Sequence, residues 1–163
     1  MKNANLNKAI TSVAICALLG IVSGLATSFS TGAGFETIQK PFFHPPDWLL
    51  KFVWVVLYAL MGYSFAIIWS KPNKSRRSRE VINKAMVIFG FQLVLNILWS
   101  FIFFKLANPF LALIEILLLW LLIFETIKAF NKIDNYAAKL LIPYLVWVSF
   151  AVILNGSIWY MNS

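Results

Sequence analysis

The residues of this chain best suited to chemistry are indoles and side-chain amides at helical spacing. Trp54, Tyr58, Met61 or Gly62, Phe65 and Trp69 recur at steps of three and four, as do Gln92, Asn96, Trp99 and Phe103, and again Trp147, Ala151, Asn155 and Trp159. Residues so spaced share one helix face. Indoles stack on flat apolar molecules and amides fix orientation, so three such faces turned to a common interior would line a cavity. The same residues also suit packing alone, with amides bonded across helices. Packing is the leading reading on spacing alone, and ring size is what argues for the cavity, because closely packed membrane helices favour small residues at their contacts.

Other chemistry has little support. Cys16 and His44 are each the only residue of their kind, which excludes an intrachain disulfide and a cysteine-based metal cluster. No Ser/His/Asp set, phosphate-cradling glycine loop or convergent carboxylate pair accompanies His44. Neither a metal site nor a required cofactor is expected. Glu115 and Glu125 stand in an apolar stretch where charge is costly. Glu125 is expected to pair with Lys128, three residues on, and Glu115 with Lys105 or a neighbouring amide. A proton relay would need further carboxylates or histidines in the other apolar stretches, which lack them.

The elements that must carry these faces are membrane helices. The chain has 163 residues, 61% hydrophobic and 12% charged, with a mean hydropathy of +0.79. A helix crossing a hydrocarbon core of about 30 Å needs about 20 apolar residues. Five stretches qualify: Ala9 to Thr27, Trp48 to Trp69, Ala85 to Phe104, Pro109 to Phe130 and Leu140 to Met161. They lack the alternation of barrel strands, and unpaired backbone is not tolerated in lipid. The expected fold is all-α, one integral membrane bundle of five transmembrane helices over residues 1–163. The first stretch follows Lys2 and Lys8 in the manner of a secretory signal, but it is rather long and ends without an A-x-A site, so it is expected to stay as a helix.

Charge sets the orientation. Lys2, Lys8, Lys71, Lys74, Arg76, Arg77, Arg79, Lys84, Lys128, Lys132 and Lys139 fall on one side of such a bundle, against Lys40, Lys51 and Lys105 on the other. The positive-inside bias places the amino terminus in the cytoplasm and the carboxyl terminus outside. The net charge of +8 is then a topology anchor, with anionic lipid as a further partner of the Lys71 to Lys84 cluster and no role in nucleic-acid binding. Five spans do not divide into two inverted halves, which disfavours a conventional ion-coupled transporter.

The long connection, residues 28–47, carries Phe35, Lys40, Phe42, Phe43 and His44 among prolines at 41, 45 and 46. Those prolines stiffen it without regular hydrogen bonding. It suits a lid over an apolar cavity and equally an aromatic belt at the membrane interface. Gly20 and Gly24 form a G-x-x-x-G, which permits close approach within the bundle or across a dimer.

Several strings resemble one family. Lys40-Pro-Phe-Phe-His-Pro-Pro-Asp-Trp48, Val53-Trp54-Val-Val-Leu57-Tyr58 with Met61-Gly62, Gln92-Leu-Val-Leu-Asn96 with Trp99 and Phe103-Phe104, and Pro143-Tyr-Leu-Val-Trp147 with Phe150-Ala151 and Leu154-Asn155 are similar to the tryptophan-rich sensory protein, or translocator protein, family. The resemblance covers about residues 15–162. It implies a five-helix bundle, often a homodimer, with a pocket toward the first long loop for porphyrins such as protoporphyrin IX or haem, sterols in animals, and synthetic aromatic ligands. Carried over, it assigns Trp54, Asn96, Trp99, Trp147, Ala151 and Leu154 to the pocket; the helix faces add Tyr58 and Asn155. The lid would comprise Lys40, Pro41, Phe43, His44, Pro45, Pro46 and Trp48. Trp54 and Trp147 match the tryptophans implicated in light-dependent porphyrin breakdown by some bacterial members. Where animal members carry a Tyr and, four residues on, an Arg for cholesterol, this chain has Gly156 and Tyr160, so sterol recognition of that type is not expected.

The expected function is a receptor or carrier for tetrapyrroles in a bacterial inner membrane, with Lys40 or Lys51 meeting the ligand's carboxylates at the outer mouth. Two alternatives stand beside it: a light-dependent porphyrin-degrading enzyme using Trp54 and Trp147, and a stress-signalling adaptor docking through the Lys71 to Lys84 loop.

Overall fold

The computed structural model describes residues 5–28, 39–72 and 75–163. It is built of helices, with no strand among the described residues. They are α1 (Leu6–Ser28), α2 (Asp47–Trp69), α3 (Arg76–Ser100), α4 (Pro109–Asn131), the short α5 (Asn135–Leu140) and α6 (Ile142–Met161), and α3 runs on through a π-helical turn at Phe101–Lys105. Four segments, Trp48–Trp69, Arg76–Lys105, Pro109–Asn131 and Asn135–Met161, are long and apolar enough to cross a membrane; α1 adds a shorter apolar stretch, Leu6–Ile21. At about 1.5 Å per residue, each of the four exceeds the hydrocarbon core of about 30 Å. The exposed side chains Ile15, Leu18, Phe52, Val55, Phe91, Val94, Leu121 and Val146 suit acyl chains as their solvent.

Local sequence explains where the helices start and stop. Helix α3 begins at Arg76, well ahead of the expected Ala85, because Ser75 caps it by accepting from the Ser78 N–H at 3.1 Å. Its first turns are basic and extend the helix beyond its apolar stretch. Asn108 caps α4 by accepting from the Leu111 N–H at 3.0 Å, and Pro109 follows where a missing N–H costs nothing. Ala107, in the left-handed region at φ 46°, reverses the chain between the π-helical turn and that cap. Pro143 does not kink one long helix. The helix breaks at Leu141, and Pro143 falls in the first turn of α6.

Helix α1 lies close on α2. A Cβ at Gly62 would stand 2.7 Å from the Val13 Cα, so the space that Gly62 leaves is filled by the backbone of α1. A Cβ at Gly20 would stand 2.6 Å from the Tyr58 ring, which uses this glycine inside the bundle. Beyond this pair, α1 touches α3, α3 packs on α4 and α4 on α6, and α5 bridges α4 to α2 through the Ser64 hydroxyl, which donates to the Ala137 carbonyl at 2.7 Å. The helices thus form a ring left open between α6 and α2, where an apolar cleft of about 300 Å³ lies.

The end of the bundle that carries most of the basic residues is tied by charge. Lys71 pairs with Asp134, whose carboxylate also caps α5 by accepting from the Tyr136 and Ala137 N–H groups at 2.9 and 3.0 Å. Lys8 donates to the Trp69 carbonyl at 3.0 Å and rests over its indole. Lys128 donates to Glu125 at 2.7 Å, the pairing expected from their spacing.

Candidate functional site

Helices α2 and α3 bring the predicted rings together. Trp54 and Tyr58, one turn apart on α2, have centroids 6.0 Å apart; Trp54 lies 6.4 Å from Trp99 of α3. The π-helical turn shifts the chain by one residue, so that Phe103 stacks on Trp99 at 5.2 Å while Phe104 meets it edge-on at 6.0 Å. The face Gln92, Asn96, Trp99 and Phe103 is buried along its whole length. The amides point inward because lipid offers them no partner.

Helix α6 presents a face rotated from the expected one. Its buried stripe is Tyr144, Val148, Ala151, Asn155 and Ile158. Trp147 and Leu154 are half-buried at its flank, and Trp159 is exposed against Phe110. Tyr144 is the central residue that the sequence reading missed: fully buried, its ring lies 6.5 Å from Trp54 and its hydroxyl accepts from Asn96 Nδ2 at 2.9 Å. Its three- and four-residue steps to Val148, Ala151 and Asn155 were the available signal. Asn155 is engaged within the bundle, its amide oxygen accepting from Trp99 Nε1 at 3.2 Å and its nitrogen donating to the Pro109 carbonyl at 2.9 Å. Asn96 Oδ1 keeps no such partner.

Trp147 stands apart from the Trp54, Trp99 and Tyr144 cluster and forms a wall of the α2–α6 cleft, with Val53, Val56, Leu57 and Leu60 opposite and Phe150 beside it at 5.6 Å. Phe150 also meets Phe43 of the long connection at 6.4 Å. Pro41, Phe42 and Phe43 bound a second hollow, of about 700 Å³, against Ile153, Gly156 and Tyr160 near the end of α6. A line of rings, Phe43, Phe150 and Trp147, therefore runs from the connection to the cleft.

Membrane helices, this order of inward indoles and amides, and an aromatic connection at one end are matched by a family model. The model described as the TspO/MBR family matches residues 12–161. The chain belongs to the TspO/MBR family. It is 38% identical over 161 residues to the Tryptophan-rich protein TspO of Chlorobaculum tepidum, covering 96% of this chain and 99% of that one. It is similar to Protein CrtK of Rhodobacter capsulatus, 32% identical over 147 residues, 90% of this chain and 88% of the relative. The human Translocator protein is 37% identical over 131 residues, 78% of this chain and 74% of the relative.

As a TspO/MBR protein the chain is an integral membrane bundle whose long connection is partly described. In residues 39–46 of that connection, His44 N–H donates to the Pro41 carbonyl at 3.0 Å in a turn, Pro41 is buried, Phe42 is fully exposed, and Lys40 and Pro46 are exposed. Pro45 is half-buried, and Trp48 belongs to the first turn of α2. The expected lid residues Pro41 and Phe43 thus lie on the flank of α6, beside the ring line. Residues 29–38, with Phe35, lie outside the described residues. Glu115 departs from expectation: neither carboxylate oxygen has a hydrogen-bond partner, and Lys105 rests over the Phe101 ring at 5.0 Å.

Proposed function

We propose that this TspO/MBR protein is a membrane receptor or carrier that binds porphyrins or related tetrapyrroles. The observation that carries the reading is the ring line Phe43, Phe150 and Trp147, which joins two apolar hollows. A flat macrocycle gains stacking from such rings and buries its apolar faces there. The cleft is at the small end of ligand sites, about 300–1,000 Å³, so the guest reaches outward along the ring line to the larger hollow. Its carboxylates stay at the outer mouth, near the exposed Lys40. Trp54, Tyr58 and Trp99 form the inner wall, and Asn96 orients the guest; Ala151 and Leu154 line the α6 side.

By charge distribution the amino terminus is cytoplasmic and the carboxyl terminus outside, in a bacterial inner membrane. The chain acts as a homodimer, through a surface other than Gly20.

Titration of protoporphyrin IX into detergent-solubilised protein, followed by Trp fluorescence, tests the reading. Saturable quenching is expected, with affinity reduced by about tenfold or more in the Trp54→Ala, Trp147→Ala double variant, since ring stacking alone contributes about 0.5–1.5 kcal/mol per pair beyond area burial. Unchanged affinity in that variant would remove the site.

A further inference from the structure

The basic start of α3 has no part in the tetrapyrrole reading. Phe89 stacks on Phe65 of α2 and on Phe130 of α4, with centroids 5.0 and 5.8 Å away, so the three rings mark one level of the bundle. Past that level α2 runs about 6 Å to its end at Trp69 and α4 about 2 Å to Asn131, whereas α3 runs about 20 Å back to Arg76. Ile82 and Ala85 are buried and keep this overhang fixed to the bundle, and Ser75 caps it.

Helix length gives the depth of the overhang. The unbroken segment Arg76–Lys105 has 30 residues, about 45 Å, which is the thickness of a bilayer with both headgroup layers, about 40–45 Å. Trp48–Trp69, with 22 residues and about 33 Å, spans little more than the hydrocarbon. The first turns of α3 therefore lie at headgroup depth and just beyond it, with Lys84 at the edge of the apolar stretch.

Two cations of the overhang share a helix face. Arg77 and Lys84, two turns apart, are exposed, and among the described residues neither has an ion pair. Glu80, which lies between them in sequence, is held by Arg76 at 3.1 Å. The same face continues through Val87, Phe91, Val94 and Leu98, all exposed. A partner that covers it carries a negative group at one end and hydrocarbon below. An acidic protein in solution supplies only the first. A second copy seated symmetrically sets Arg77 against Arg77 and Lys84 against Lys84, and like charges so placed repel.

We propose that Arg77 and Lys84 form a docking site for an anionic phospholipid, with its acyl chains laid along Val87, Phe91 and Val94. Lys84 leans toward the start of its helix, as helical side chains do, so its ammonium reaches the phosphate layer while its stem stays on the apolar face. The Arg77 guanidinium meets phosphate oxygens as a planar fork.

The probes are phosphatidylglycerol and phosphatidylcholine with matching chains, offered in equal amounts to the full chain in uncharged detergent. Native mass spectrometry reads which lipid stays bound. The wild-type protein is expected to prefer phosphatidylglycerol by about tenfold or more, since each basic residue near an anionic surface contributes a factor of about five. The Arg77→Gln, Lys84→Gln double variant should bring the two lipids close to parity. Lys132→Gln with Lys139→Gln removes the same charge from exposed lysines at the same end of the bundle and should leave the preference in place. No preference in the wild-type protein overturns the proposal, and so does an equal loss in both double variants, which would mean diffuse attraction without a site. Polyglutamate that displaces the lipid at equal charge assigns the pair to an acidic protein instead. Rapid disulfide formation between copies carrying Phe91→Cys, in the native membrane, puts a second copy on the face and likewise overturns the proposal.

Discussion

Asn162 holds the backbone of Gln39 from both sides: its Oδ1 accepts from the Gln39 N–H at 2.9 Å and its Nδ2 donates to the Gln39 carbonyl at 3.0 Å. The same Nδ2 also donates to the Ile158 carbonyl at 2.7 Å. One amide therefore closes the end of α6 and anchors the connection that carries Pro41 and Phe43. Asn162→Ala is expected to speed hydrogen exchange at the Gln39 amide, which loses its acceptor, and to weaken protoporphyrin binding, with a cost to global stability of about 1 kcal/mol. An unchanged exchange rate would show that the connection is held elsewhere.

Gly62 and Gly90 make a matched pair. A methyl at Gly62 meets the α1 backbone, which cannot move aside as a side chain would, whereas nothing lies within 4 Å of a Cβ at Gly90. Gly62→Ala should destabilise by about 1–3 kcal/mol. Gly90→Ala should be neutral or stabilise by up to about 1 kcal/mol, through helix propensity alone. Thermal unfolding in detergent, read by intrinsic fluorescence, separates the two.

Asp134 gives the tied end of the bundle a pH dependence. Partial burial works to raise its carboxyl, but the hydrogen bond and charge of Lys71 and the Ala137 and Tyr136 N–H groups outweigh it and hold the group below the ordinary Asp range. Its contribution is therefore complete above the ordinary Asp value of about 3.9 and is lost as pH falls through the lowered folded-state value. Asp134→Ala should cost about 1 kcal/mol at neutral pH through the cap, and the partly exposed pair adds at most about 1 kcal/mol. The gap between wild type and variant should narrow as pH falls below the ordinary Asp value and through the lowered folded-state one. A gap of constant size down to full acid unfolding would contradict this account.

Trp54 and Trp99, 6.4 Å apart, are close enough to exchange an electron, which allows a direct separation of carrier from photochemical enzyme. A carrier returns its porphyrin intact after illumination. Illuminated protoporphyrin is expected to show the same absorption spectrum with wild type as with the Trp54→Phe and Trp147→Phe variants. A product formed with wild type alone would establish the enzyme reading instead.

Much of the fold was legible because lipid enforces it. The apolar stretches mark the helices, and Gln92, Asn96 and Asn155 are buried for the reason that predicted it: an amide facing acyl chains has no partner. Other features depend on contacts that spacing does not encode. The Arg76 start depends on Ser75, outside the apolar stretch, and the π-helical turn on packing of Phe103 and Phe104 against Trp99. On α6 the four-residue ladder from Trp147 was in phase with Ala151 and Asn155, yet the buried face centres on Tyr144. A phenol with a polar tip finds its partner in Asn96, while the larger indole occupies the cleft. The position of the connection on α6 rested on Asn162, beyond the last apolar residue.

The gap between α2 and α6 makes the bilayer one wall of the protein's own cleft. Any guest there touches acyl chains as well as Trp147, so its measured affinity includes how well it dissolves in the surrounding hydrocarbon. Thickness and chain order of the host membrane thereby become determinants of occupancy, and a dissociation constant from one detergent does not carry over to another or to liposomes without correction for partitioning.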